Sequence, residues 1–91
     1  MGLELQISDE ELEKLLRRLR RLEGQVRGVQ RMIERRRDCE AIMTQLAAMK
    51  AAIHRVAMHL VSANMEACMS SYTGIERERR MRRLAHVLAQ F

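Results

Sequence analysis

Cys39, Asn64 and Cys68 are the residues of this 91-residue sequence whose types and spacing could do chemistry. A cysteine thiolate is both a nucleophile and a ligand for soft metals. Cys39 follows Arg35, Arg36 and Arg37 and is predicted to sit in the first turn of a helix. There the helix dipole and the arginines stabilise a thiolate, with Asp38 opposing them in part, which makes Cys39 the candidate nucleophile. Cys68, flanked by Ala67 and Met69, is expected to be less acidic. The two cysteines lie 29 positions apart on what reads as one helix. At 1.5 Å per residue that is about 43 Å, whereas a disulfide needs Cα atoms within about 7 Å. They cannot meet within one protomer. An antiparallel pair of these helices, crossing near Ile53 and His54, would set Cys39 beside the partner's Cys68, and a two-fold dimer would hold two such pairs. Two buried cysteines acting as small hydrophobes are the plainer alternative, and residue chemistry leaves both open.

Asn64 lies one helical turn before Cys68. A histidine there would complete a familiar metal-ligand pair, but a neutral amide is a poor ligand. His54, His59 and His86 do not fall at four-residue spacing from either cysteine and read as surface or interface residues. Met43, Met49, Met58 and Met65 recur at core-like spacings, so packing explains them better than copper does. There is no glycine-rich phosphate loop, no carboxylate pair and no Cys–His pair at reach, so neither an enzyme nor a bound cofactor is expected.

The elements that must position these groups are helical. Proline is absent, glycine occurs four times, and Tyr72 and Phe91 are the only aromatics. That composition excludes an all-β sandwich and predicts a single all-α domain over residues 1–91. Ser8-Asp9-Glu10-Glu11 reads as a capping box, in which hydroxyl and carboxylate satisfy each other's orphan amides. Leu15, Leu19, Leu22, Val26, Val29 and Ile33 then form a heptad seam, predicting a first helix over roughly residues 8–36. Asp38 opens a second helix over 38–69, with a seam of Ile42, Leu46, Met49, Ile53, Val56, Leu60, Ala63 and Ala67. A further stripe of His54, Met58, Val61, Met65 and Cys68 runs along another face. Thr73-Gly74-Ile75-Glu76 repeats the capping pattern and opens a third helix over 74–90, with Ile75, Leu84, Val87 and Leu88 as packing residues. The second helix is apolar around much of its circumference and must be buried. One long and one short neighbour cannot cover it, so an obligate oligomer with paired second helices is expected.

The formal charge is +5, but its distribution says more than its sum. Residues 14–37 carry ten Lys/Arg against Glu23 and Glu34, while residues 1–13 carry five acids and no base. Such a block points to a polyanion, nucleic acid before membrane, with a solvated helix face as the bland alternative. Gly24 and Gly28 lie on one side of the first helix, where close packing explains them better than approach to a DNA phosphate. The acidic N-terminus does not read as a signal peptide, and no apolar run approaches the roughly 20 residues of a membrane span. A cytoplasmic protein without a membrane partner is expected, with its cysteines reduced, reactive or metal-binding rather than locked in a structural disulfide.

The stretches RLRRLEGQVRGVQRMIE at 18–34, DCEAIMTQLAAMKAAIHR at 38–55 and NMEAC at 64–68 together resemble the copper-sensing operon repressor family of bacteria. That family also includes nickel/cobalt, formaldehyde and persulfide sensors. The resemblance spans nearly the whole chain. It implies a three-helix protomer in an antiparallel four-helix-bundle dimer, a dimer of dimers, and binding of operator DNA without a helix-turn-helix. Copper sensors place Cys, His and Cys at three ligand positions that read Cys39, Asn64 and Cys68 here. The segment from Met81 to Leu88 also lacks the acidic residue of copper members. The Cys–Asn–Cys version is similar to the persulfide-sensing sulfurtransferase repressors, which implies attack of Cys39 on a persulfide or polysulfide and resolution by the partner's Cys68 into a di- or polysulfide bridge. Reactive sulfur species would then be the inducer. Formaldehyde sensors use an N-terminal proline, where this chain has Gly2. For DNA the resemblance points to Arg18, Arg21 and Arg55, with Arg31 and Lys50 in support. Two alternatives stand beside this reading: a copper(I)-responsive repressor holding the metal by Cys39 and Cys68 alone, and a helical thiol-redox adaptor that binds no DNA.

Overall fold

Each helix of this all-α chain starts and stops for a local reason. The computed structural model describes residues 5–91; Gly2, which bears on the formaldehyde branch, lies outside the described residues. α1 spans Asp9–Glu34, α2 Cys39–Ser71 and α3 Gly74–Leu88. Among the described residues there is no strand.

Ser8 caps α1, its Oγ accepting from the Glu11 amide at 3.2 Å. The reciprocal half of the expected capping box does not form, because the Glu11 carboxylate is engaged by the His59 ring of α2. α1 ends two residues before the predicted position. Arg36 adopts φ 51°, the Arg37 amide donates to Met32 O at 2.9 Å, and the Arg36 amide donates to Ile33 O at 3.0 Å. This is a Schellman ending with arginine where glycine is usual, at a cost of about 1 kcal/mol. With no glycine to mark it, the stop was invisible in the sequence.

Asp38 opens α2, its Oδ2 accepting from the Ala41 amide at 3.0 Å. α2 then runs unbroken to Ser71, two residues beyond the prediction. The capping box expected at Thr73 is not present: Thr73 makes no side-chain cap bond. Gly74 turns the chain instead with φ 59°, a conformation that costs glycine nothing, and Glu76 pairs with Arg79 at 3.7 Å and Arg80 at 3.0 Å. α3 ends at Leu88, two residues short of expectation, where the Ala89 amide closes the last turn on Ala85 O at 3.1 Å.

The four-residue connection at 35–38 folds α1 back antiparallel along α2, and α3 returns onto the C-terminal part of α2. Leu15, Leu22 and Val29 are buried, while Leu19, Val26 and Ile33 of the same seam are exposed. A single neighbour covers one stripe of a helix, so every second member of the seam remains uncovered. In α2 only Asn64 and Cys68 are buried; Met43, Leu46, Ile53 and Met69 are exposed. In α3, Leu84 is buried and Leu88 half-buried, but Ile75 and Val87, expected to pack, are 77% and 50% exposed. Among the described residues α3 packs only on α2, and one neighbour does not cover its whole circumference. No helix of the described residues is long and apolar enough to cross a membrane.

Candidate sensing site and nucleic-acid interface

Cys39 is the first residue of α2 and is exposed; Cys68, near the other end, is 2% exposed. Because α2 is continuous between them, the 29-residue separation sets the two residues about 43 Å apart along the helix axis within a protomer. Asn64 is buried one turn before Cys68, and its Oδ1 accepts from the Gln6 amide at 2.7 Å. The side chain of Gln6 continues the network, its Nε2 donating to the Tyr72 hydroxyl at 2.7 Å. The Arg80 guanidinium covers the Tyr72 ring at 4.0 Å and is itself held by Glu76 at 3.0 Å. Buried polar groups need such partners, and here the N-terminal segment supplies one to Asn64. Sequence spacing placed Asn64 beside Cys68 but did not mark Gln6, Tyr72 or Arg80. The one available signal was that Asn64, Cys68 and Tyr72 recur every four residues on one face.

His59 pairs with Glu11, joining α2 to the first turn of α1. That hydrogen bond, more than the nearby charges of Lys14 and Arg18, holds the Glu11 carboxyl below its ordinary 4.5. His59 is thus held at the α1–α2 contact by a carboxylate. Among the described residues no three His, Cys, Asp or Glu side chains cluster to hold a metal. Cys39, Asn64 and Cys68 fit copper poorly within a protomer, since the two thiols are far apart along α2 and a neutral amide is a poor ligand for a soft metal.

A second feature lies between α1 and α2. Arg18, Arg21, Leu22 and Gln25 from α1 face Ala52, Arg55 and Val56 from α2 across a cleft of about 340 Å³. Three arginines therefore line one cleft together with Leu22, Gln25, Ala52 and Val56, and none has an acidic partner within ion-pair distance among the described residues. Unpaired cations gathered in this way raise the local positive potential of the cleft. Gln25 Oε1 in the same wall is buried without a hydrogen-bond partner. Arg31 is exposed and lines no part of the cleft; Lys50 borders a separate, mainly apolar groove with Leu46, Met49, Ile53, His54 and Phe91. The cleft thus gathers three of the five cations singled out from the sequence and leaves two aside.

The chain is similar to known regulators over most of its length. It is 41% identical over 63 residues to the copper-sensing transcriptional repressor CsoR of Bacillus subtilis (strain 168), covering 69% of this chain and 62% of that protein. It is 43% identical over 54 residues to the copper-sensing transcriptional repressor RicR of Mycobacterium tuberculosis (strain ATCC 25618 / H37Rv), covering 59% of this chain and 56% of that one. An uncharacterized protein in the bioA 5' region of Serratia marcescens is 27% identical over 81 residues, 87% of this chain and 89% of its own. The matched stretch spans less than two thirds of either copper-sensing relative. The model of the metal-sensitive transcriptional repressors, a family of regulators and not of enzymes, matches residues 11–90. With that match running from the first turn of α1 to beyond the end of α3, the chain belongs to the metal-sensitive transcriptional repressor family.

Proposed function

We propose that this protein is a cytoplasmic transcriptional repressor that binds operator DNA through the Arg18, Arg21 and Arg55 cleft and releases it when reactive sulfur species modify Cys39 and Cys68. Membership of the repressor family supports the DNA-binding part. One observation carries the sulfur part: beside the buried Cys68 stands Asn64, a hard amide oxygen hydrogen-bonded to the Gln6 amide, so the two thiols are the only soft groups of this set. An antiparallel dimer of α2 helices, itself paired into a dimer of dimers, would bring Cys39 to the partner's Cys68 and cover Met43, Leu46 and Ile53. The exposed Cys39 thiolate attacks the sulfane sulfur of a persulfide RS–SH, forming Cys39–S–SH and releasing RS⁻. The partner's Cys68 thiolate then attacks the Cys39 sulfur, closing a disulfide and expelling HS⁻.

A copper(I) reading is favoured by the names of the two copper-sensing relatives, with the metal held by the two thiolates alone. Exposing the reduced protein anaerobically to polysulfide and to copper(I) in parallel separates the two. Polysulfide is expected to give a covalent dimer on non-reducing gels and loss of DNA affinity, and Cys39→Ser to abolish both. Release by copper(I) at sub-nanomolar free metal, with no response to polysulfide, would establish the copper reading instead.

A further inference from the structure

We infer that Gln6 is a latch over Cys68 that decides when, and to which reagents, this thiol becomes accessible. Gln6 holds both neighbours of Cys68 on its helix face: its amide donates to Asn64, one turn before, and its Nε2 donates to Tyr72, one turn after, each at 2.7 Å. Asn64 and Tyr72 stand eight residues apart, about 12 Å along the helix axis, so Gln6 bridges the span whose midpoint is Cys68. Cys68 is 2% exposed, although it lies close to the end of its helix, where burial is hard to achieve.

The far post of the latch is fixed. The Tyr72 ring lies under the Arg80 guanidinium at 4.0 Å, and Arg80 is tied to Glu76 at 3.0 Å. The near side is not built into a helix, since Gln6 lies two residues before the Ser8 cap of α1. Residues 5–7 can therefore lift away by giving up these two hydrogen bonds and the part-buried packing of Gln6 and Ile7 while α1 and α2 stay intact, a local opening rather than global unfolding. Two thiols in one chain are thereby made unequal. Cys39 is exposed on the protomer, whereas Cys68 reacts only in the unlatched state, and bulky reagents need the latch displaced further than small ones do. Resting on the thiol-sensing reading, this sets an order: modification starts at Cys39, and the second cysteine is released to close the bridge.

The test uses the full chain carrying Cys39→Ser, in which Cys68 is the sole thiol. Its alkylation by N-ethylmaleimide under native conditions is timed alone and with Gln6→Ala or Tyr72→Phe added. Tyr72→Phe keeps the ring beneath Arg80 and removes only the hydroxyl, so it preserves packing should Gln6→Ala perturb the N-terminus. Each change is expected to speed alkylation roughly five- to tenfold, the factor one net hydrogen bond contributes to an opening equilibrium. Helical circular dichroism should stay unchanged. Rates within twofold of the parent in both variants would overturn the latch. DNA release by polysulfide, measured separately, decides the sensing reading whatever the alkylation rates show.

Discussion

Replacing Arg18, Arg21 and Arg55 together by alanine strips three cations from one cleft and leaves its other lining residues, Leu22, Gln25, Ala52 and Val56, in place. None of the three has an acidic partner among the described residues, so their removal breaks no ion pair and should leave the protomer fold unchanged. If each guanidinium neutralises one phosphate, the slope of log K against log salt falls by about 0.9 per contact, or about 2.7 for every protomer engaged on DNA. Between 50 and 200 mM salt the unmodified protein would then lose roughly 40-fold more affinity than the triple variant, per protomer engaged. Fluorescence anisotropy of a labelled duplex, titrated at several salt concentrations with reduced protein, reads this slope directly. The double variant Arg31→Ala/Lys50→Ala is the control, since neither residue lines the cleft. An unchanged slope in the triple variant would refute the cleft as the phosphate site. Equal flattening in the control would move the interface to a broader surface.

Two further outcomes concern the scaffold. Arg36→Gly should raise stability by about 0.5–1 kcal/mol, because glycine meets no Cβ penalty at the left-handed φ of 51° that closes α1; a lower melting temperature in thermal unfolding would contradict the Schellman account. Glu11→Gln should remove a pH-dependent part of stability: the lowered Glu11 carboxyl stabilises the native state fully above its ordinary 4.5 and loses that contribution as pH falls through its folded value. Urea unfolding of both proteins from about pH 5.5 down to about pH 3 should therefore show the advantage of the unmodified chain shrinking as pH falls, and a gap that stays constant would exclude the His59–Glu11 pairing as its source.

What the residues determined by themselves was local. Helix-forming composition without proline made the chain all-α, and the Ser8 and Asp38 caps set two helix starts within a residue. The 29-residue spacing of Cys39 and Cys68 excluded their meeting within a protomer, because the rise of a helix is fixed by its backbone alone. Tertiary structure decided everything that depends on partners distant in sequence. It chose which half of the Leu15–Ile33 seam is covered, turned Glu11 from its own cap toward His59, and gathered Arg18, Arg21 and Arg55 while leaving Lys50 on another groove. It also placed Gln6 between Asn64 and Tyr72, a pairing across 58 and 66 positions that no periodicity encodes. A side chain's periodicity names the face it occupies, but which neighbour lies against that face is set only when the helices dock.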